Sequence, residues 1–175
     1  PELPEEHEIS DDGLVHRMRL RPGVTFHDGQ ELTVHDVIAS IKRWGAIVGL
    51  GQSLLEVGDE FYVEDDLTFE IRLTEPFGTL PVALARQNQG CAIYPEWAIE
   101  EVGEDELKSY VGTGPYRLIE RLPDRHIRLA RHEVYAPAPG EVDGYGGQKH
   151  RFLDELYFIG VQDEAARVTG LQTGD

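Results

Sequence analysis

The sequence predicts a mixed α/β protein in which a small sheet of short strands packs against helices, and three observations lead to that class. Of the 175 residues, 40% are hydrophobic and 28% are charged, which is the balance of a globular protein. Residues 33–44 repeat apolar side chains at the spacing of a helix with one buried face. Residues 67–73 alternate apolar and polar side chains, as a half-buried strand does.

The segment that precedes residue 33 is predicted to be two turns around one short strand. Pro22-Gly23 favours a type II turn, because proline presets the second position and glycine accepts the left-handed third position. Residues 24–26 carry the β-branched and aromatic side chains of a strand. Asp28-Gly29 is typical of a tight reversal.

The helix after these turns is the element around which we expect the first part of the chain to be organised. Thr33 is placed to cap it, and Asp36 stands three residues later in the capping-box position. Gly45 predicts its end. The predicted buried face consists of Val34, Val37, Ile38, Ile41 and Trp44.

The other elements follow from alternation, helical spacing and turn residues. Strands are predicted over residues 14–20, 61–63, 67–73, 116–122, 126–131 and 153–161. Short helices are predicted near residues 50–58 and over residues 79–86, 95–102 and 105–111. A final helix is capped by Asp163 and closed by Gly174, and residues 136–149 predict a loop.

Gly112–Pro115 is the predicted boundary between two parts, because glycine and proline crowd together there between well-patterned blocks. The first part, residues 1–111, is expected to hold a small sheet with the Thr33 helix. The second part, residues 112–175, is expected to hold a hairpin, a further strand and a helix.

The charge and the cysteine content exclude several classes of partner and site. The net charge of −17 repels phosphate backbones, which argues against nucleic acid as a partner. No apolar run is long enough to span a bilayer, so direct membrane insertion is not expected of these residues. Cys91 is the single cysteine, which excludes an internal disulfide and a cysteine-built metal site. We expect no cofactor.

Histidines and acids near the turn at residue 28 raise the question of metal or acid–base chemistry. His27, Asp28, His35 and Asp36 are close in sequence, but they lack a tight metal-ligand spacing. A hydrolase that uses carboxylates around Asp28 and Asp36 is one alternative function. No nucleophile elbow accompanies it, so we expect a protein that is not an enzyme.

Four stretches resemble the family 5 extracellular solute-binding proteins, the binding components of peptide, nickel and related ABC importers. Residues 20–44, LRPGVTFHDGQELTVHDVIASIKRW, resemble the signature region of that family. Residues 63–76, residues 112–116 (GTGPY), and the two motifs in residues 153–175 (LDELYF and DEAARVTGLQTGD) resemble later family stretches in the same order. The chain departs from the family pattern at His7, where an aromatic residue is usual, and at His132 and Ala136, which replace Asn and Trp.

The resemblance implies a type II periplasmic-binding-protein fold, of which this chain is a fragment. Residues 1–111 would be a small subdomain of the first lobe, and residues 112–175 the opening of its main sheet. The second lobe would be absent from this chain. The implied function is non-catalytic capture of a peptide or other small solute, with transporter permease subunits as partners. The implied location is extracytoplasmic, with a lipid anchor possible in the full-length protein.

The resemblance also suggests where a solute would be contacted. The family touches its ligand through the loop after the organising helix, here residues 45–52, which makes Gly49, Gly51 and Gln52 candidates. Asn88 lies in a second candidate loop and Thr113 in a third. The alternatives are that these are ordinary loop residues, and that the chain is a free-standing interaction domain without a ligand pocket.

Overall fold

The computed structural model describes residues 3–86, 88–103, 105–142 and 146–174. In chain order, the strands are β1 (Pro4–Ile9), β2 (Val15–Leu20), β3 (Gly58–Val63), β4 (Thr68–Leu73), β5 (Tyr116–Leu122), β6 (His126–Arg131) and β7 (Glu155–Ile159). The helices are α1 (Val34–Ile47), α2 (Gly49–Val57), α3 (Leu80–Leu84), α4 (Glu96–Val102) and α5 (Glu164–Thr173). The predicted mixture of short strands and helices is confirmed.

A four-stranded antiparallel sheet in the order β1-β2-β4-β3 forms the first layer. β2 and β4 are its central strands, and their register sets Met18 opposite Phe69. The buried side chains of these two strands are Thr68, His16, Met18, Leu20, Phe69, Ile71 and Leu73. Each fully buried large apolar side chain contributes about 1.5–3 kcal/mol, so the predicted alternation is what fixes this register.

Helix α1 buries its apolar stripe in the same core as the sheet. Val34, Ile38 and Ile41 are only 0%, 7% and 1% exposed, which confirms the predicted face. The predicted start is also confirmed: Asp36 Oδ2 accepts hydrogen bonds from the Thr33 backbone N–H at 2.8 Å and from the Thr33 hydroxyl at 2.9 Å. The helix is therefore fixed at its first turn and along its buried side.

The predicted end of this helix at Gly45 is wrong. α1 continues to Ile47, and α2 begins at Gly49 after Val48 alone. Glycine at position 45 permits close packing of the two helices: a Cβ there would lie 2.5 Å from Leu55 Cδ1. A Cβ on Gly51 would likewise lie 2.7 Å from Gly45 Cα. Residues 45–52 are thus a helix–helix contact and not the expected loop.

The second part contains a three-stranded antiparallel sheet in the order β5-β6-β7, followed by α5. Asp163 caps α5 by accepting the Ala166 N–H at 2.7 Å, and Gly174 ends it with a left-handed φ of 83°. The predicted hairpin, strand and helix are found. The division into units at residues 111 and 112 stays a prediction.

Three other expectations differ from the structure. Residues 24–26 form an isolated bridge, Thr25 to Glu31, in place of a strand. Residues 105–111 are irregular and do not form the predicted helical turn, and at their start the Arg43 guanidinium donates to the carbonyls of Gly103 and Asp105. β1 was not predicted. Residues 136–142 and 146–149 are irregular, as expected, and residues 143–145 lie outside the described chain.

His7 on β1 and His16 on β2 form a hydrogen-bonded pair of imidazole rings. His7 Nε2 lies 3.1 Å from His16 Nδ1, and the two rings stack with centroids 5.3 Å apart. His16 is 2% exposed. Burial lowers the pKa of both imidazoles below the ordinary 6.5, and the neighbouring His7 lowers the pKa of His16 further. The pair is consequently stable in its neutral form.

This pair predicts a loss of stability in acid. Because the folded pKa values are lowered, the unfolded state binds more protons as pH falls through 6.5, and the free energy of unfolding decreases from there towards the folded pKa values. His7→Phe keeps an aromatic ring and removes one titrating group. Urea unfolding of the full-length variant between about pH 5 and about pH 7 should give a shallower pH slope than wild type. Identical slopes would show that the pair is not responsible.

Candidate functional site

The described residues enclose a cavity of about 730 Å³ beside α1 and the first sheet. Its buried lining residues are apolar and come from β2, β4 and α1: Met18, Leu20, Val37, Ile41 and Phe69. The segment after α3 and the junction between the two parts supply further lining residues: Arg86, Gly90, Cys91, Ala92, Ile93 and Thr113. An apolar concavity with a few polar groups at its margin is the usual form of a small-molecule site.

A polar stripe on α1 holds the segment that borders this cavity. Asp36, Ser40 and Trp44 follow one another at intervals of four residues, so they lie on one face of the helix. Asp36 Oδ1 accepts the Glu96 N–H at 2.8 Å. Ser40 Oγ accepts the Tyr94 N–H at 2.9 Å and donates to the Tyr94 carbonyl at 3.2 Å.

Trp44 completes the stripe by donating its indole N–H to the Gln89 carbonyl at 2.7 Å. Gln89 has a left-handed φ of 57°, an uncommon conformation for a residue with a side chain. Gly90 follows it, where a Cβ would collide with the Arg86 carbonyl oxygen. The turn that carries Asn88 is therefore tight, and the indole helps to hold it.

Sequence reasoning gave Trp44 a core role and did not single out Ser40. Trp44 is indeed buried, at 6% exposure, but its ring nitrogen adds a directional contact. The signal that would have found the stripe is the spacing of four between Asp36, Ser40 and Trp44.

The structure separates the five candidate solute contacts into two regions. Thr113 lines the cavity, and Asn88 is exposed in the turn whose flanking residues line it. The other three candidates belong to α2 and are not among the cavity-lining residues: Gly49, Gly51 and Gln52.

Within α2, the three candidates have different environments. Gly49 and Gln52 are exposed, and Gln52 Nε2 donates to the Ala46 carbonyl at 3.4 Å. Gly51 is buried against Gly45, so a solute could reach it only if the α1–α2 contact opened. Its evident role is packing.

The Gly112–Gly114 junction is held by two histidines, neither of which sequence reasoning connected with it. The backbone N–H of His27 donates to the Gly112 carbonyl at 2.9 Å, and the His27 ring contacts both Gly112 and Gly114. His132, 5% exposed, contacts the Gly114 carbonyl through Nδ1 at 3.3 Å. The junction backbone on either side of Thr113 is thereby fixed.

The two carboxylates that the alternative hydrolase function would need, those of Asp28 and Asp36, accept structural hydrogen bonds. Asp28 accepts the Gln30 N–H at 3.0 Å and the Trp97 indole N–H at 3.2 Å. Asp36 accepts hydrogen bonds at the start of α1 and from Glu96. Within residues 3–86, 88–103, 105–142 and 146–174, no three metal-ligating side chains converge. Burial raises the pKa of the Cys91 thiol to about 12, which keeps it protonated.

The longest described helix has 14 residues, and among the helices of the described chain none has both the length and the hydrophobicity of a membrane span.

Comparison with known proteins gives one family. A family model described as "Bacterial extracellular solute-binding proteins, family 5 Middle" matches residues 1–175. A probable peptide ABC transporter periplasmic-binding protein of Sinorhizobium fredii is 34% identical over 95% of this chain and 32% of its own length. A glutathione-binding protein of Pectobacterium atrosepticum is 29% identical over 99% of this chain and 32% of its own length.

Solved structures agree with the sequence matches. The periplasmic binding protein DppA of Helicobacter pylori, in complex with the peptide STSA, superimposes with a TM-score of 0.74 at 25% identity, over 99% of this chain and 36% of DppA. The chain thus spans about a third of the length of these proteins. The predicted type II periplasmic-binding-protein class, as a part of one lobe, is confirmed.

The α1–α2 contact predicts opposite effects at two glycines. Gly51→Ala forces a methyl group against Gly45 and Trp44, and we expect a loss of about 1–3 kcal/mol in unfolding free energy. Gly49→Ala meets open space, and should be neutral or stabilising by up to about 1 kcal/mol. Urea unfolding of both full-length variants measures the difference. Equal effects of the two substitutions would contradict this packing role.

The indole contact predicts that Trp44 orders the Asn88 turn. Trp44→Phe removes the donor to Gln89, and we expect faster amide exchange over residues 86–93 and a loss of about 1–3 kcal/mol. Trp97→Phe is the matched control, because it also removes an indole donor, here one that bonds Asp28 at 3.2 Å outside the turn, and it should leave amide exchange over residues 86–93 as in wild type. If amide exchange in Trp44→Phe is unchanged, the indole does not order the turn.

Proposed function

The chain belongs to the bacterial extracellular solute-binding proteins of family 5, and we propose that it is part of the binding component of an ABC importer for peptides or related solutes. Members of this family are transport components without catalytic activity, so the hydrolase alternative is dropped. The observation that carries the proposal is the match of the entire chain to the family model, together with a shared fold.

Peptides are the solute class that the named relatives favour. The Sinorhizobium relative is named for peptides, the Pectobacterium relative for glutathione, which is a tripeptide, and DppA was solved with the peptide STSA. The cavity beside α1 supports this choice, because its apolar lining suits a side chain and its margin offers the Thr113 hydroxyl. A peptide also needs polar partners for its backbone, and the exposed amide of Asn88 beside the cavity can serve as one.

We propose that Thr113 and Asn88 contact the solute directly. We also propose that Gly49 and Gln52, on α2, form a second surface that faces the solute. Gly51 contributes to that surface by allowing α2 to pack closely against α1. In a binding protein of two lobes, such residues form one wall, and the ligand is enclosed when the other wall closes over it.

The family description and the relatives' names support an extracytoplasmic location. We propose permease subunits of an importer as the protein partners of the full-length protein, and a lipid anchor outside residues 1–175 as one means of retention. The free-standing interaction domain is a less favoured reading, since it gives no role to the cavity.

Solute binding is tested on the full-length protein by thermal unfolding with a panel of short peptides, free amino acids and sugars. A peptide present at 100 times its Kd should stabilise the protein by about 2.7 kcal/mol and raise its Tm accordingly. Stabilisation by sugars alone would redirect the proposal to another solute class. No stabilisation by any member of the panel would favour the interaction domain.

The proposed contacts are tested by titration calorimetry with the best peptide. Thr113→Val and Asn88→Ala each remove one polar partner and should weaken binding about three- to tenfold, the equivalent of one hydrogen bond. Gln30→Ala, in an exposed turn away from the cavity, is the control and should leave the Kd unchanged. Unchanged affinity in both test variants would remove this cavity from the binding site.

A further inference from the structure

The His27 ring occupies a backbone socket formed by the junction residues. The Gly112 N–H donates to His27 Nδ1 at 3.2 Å, and His27 Nε2 lies 3.1 Å from the Gly114 carbonyl oxygen. A carbonyl oxygen only accepts, so Nε2 carries the proton, and an amide N–H only donates, so Nδ1 must be free to accept. Both contacts together require the neutral ring with its proton on Nε2.

A second imidazole faces the first. The His132 ring meets His27 edge to face, with centroids 4.9 Å apart, and its Nδ1 lies 3.3 Å from the same Gly114 carbonyl. The Gly114 oxygen thereby accepts from both rings. Two positive rings at this separation would repel each other, and a protonated His27 would direct an N–H at the Gly112 N–H.

We propose that His27 and His132 form a pH-sensitive contact that joins the turn at residues 27–29 to the Gly112–Gly114 junction and opens when the rings are protonated. This contact links the part that contains α1 with the β5–β6 hairpin, since His132 directly follows β6 and its N–H donates to the Pro115 carbonyl at 2.9 Å. The proposal does not depend on the identity of the solute.

The charged groups around the pair favour its neutral state. His27 and His132 line a second concavity, distinct from the cavity beside α1, and Arg117 lines it as well. The Arg151 guanidinium donates to the carbonyls of His132 and Glu133. Burial is the main cause of the lowered pKa of His132, and His27, Arg151 and Arg117 lower it further, while the Gly114 carbonyl raises it. Protonation of His132 is accordingly opposed by its surroundings.

Four carboxylates and one further arginine also face the concavity. Arg131 pairs with Asp154, and Glu155 pairs with Arg128 at 2.6 Å. Asp28 is bonded to Gln30 and Trp97. Glu133 lies 3.9 Å from Arg131, and its side chain is 81% exposed, so solvent screens it. These acids are engaged with other groups, and among the described residues the hydrogen-bond partners of the two imidazoles are backbone atoms of Gly112 and Gly114.

The family pattern supplies a matched variant. The chain has His132 where the resembling family stretch has Asn. An asparagine side-chain N–H can occupy the position of His132 Nδ1 and donate to Gly114, and it does not titrate. His132→Asn should therefore keep the contact and remove one of the two protonation sites.

Amide hydrogen exchange of Gly112 in the full-length protein tests the contact, because this N–H is the one that His27 Nδ1 accepts. Exchange is followed from about pH 7.5 to about pH 5 and corrected for the intrinsic rate, with the Phe69 amide in the central strand as the reporter of global unfolding. Linkage allows opening to increase by up to about tenfold per pH unit for each histidine that takes up a proton on opening.

We expect the wild-type Gly112 amide to open progressively as pH falls, with a slope steeper than that of His132→Asn, which has one ionisable ring fewer at the contact. His35→Asn, at an exposed position on α1, is the control and should keep the wild-type slope. His27→Gln, which keeps a donor and does not titrate, should likewise have a shallower slope than wild type.

Three outcomes would overturn the proposal. The first is a Gly112 amide whose corrected exchange is constant over this range. The second is an equal slope in wild type and His132→Asn. The third is a Gly112 amide that follows the Phe69 amide at every pH, which would mean that acid acts on the whole fold and not on this contact.

Discussion

The first part of the fold depends on α1 having two useful faces. The apolar face buries Val34, Ile38 and Ile41 against the sheet, and the polar stripe fixes the backbone of residues 89–96. Either face alone would leave the other side of the helix without a partner. Together they place the helix between the sheet and the segment that borders the cavity, so the cavity is a consequence of how α1 is packed.

Helix α1 also determines the position of α2, because the two residues at their contact are glycines. Gly45 and Gly51 let α1 and α2 approach closely, and the turn between them is reduced to Val48. A glycine near the end of an apolar stripe can have either of two structural roles: it can end the helix in a left-handed conformation, or it can allow close packing. Only the tertiary partner decides between them, and here the partner is Leu55 and Gly51.

Local signals predicted the elements whose causes are local. The Thr33–Asp36 start of α1, the alternation in β2 and β4, and the Asp163 cap of α5 all depend on residues within a few positions of each other, and all are found. β1 escaped prediction because three of its six residues are glutamates and neither its sequence nor its burial alternates. A neighbouring strand stabilises these glutamates, since Arg17 and Arg19 of β2 lie within 4 Å of acids on β1.

Less of the candidate site was predictable, because most of its contacts join residues that are far apart in the sequence. The family resemblance pointed to Thr113 and Asn88, and the structure puts both at or beside the cavity. It also pointed to a loop at residues 45–52, which are instead the end of α1, Val48 and the start of α2, packed together through Gly45 and Gly51. The Trp44–Gln89 and His132–Gly114 contacts span 45 and 18 residues, and no short sequence pattern announces contacts of that kind.

The cavity and the histidine contact share one short stretch of backbone, and this places a constraint on both. Thr113, a cavity residue, stands between the two glycines to which His27 is bonded. The backbone N–H and ring of His27, together with the ring of His132, therefore hold the backbone on both sides of Thr113. Because glycine on both sides of Thr113 restricts the backbone little by itself, these contacts supply the restriction. A displacement of the His27 ring would then move Thr113 relative to the Asn88 turn, which is held independently by Trp44. The shape of the cavity margin thus depends on two separate anchors, an indole on α1 and a pair of imidazoles at the junction, and the indole has no titrating group.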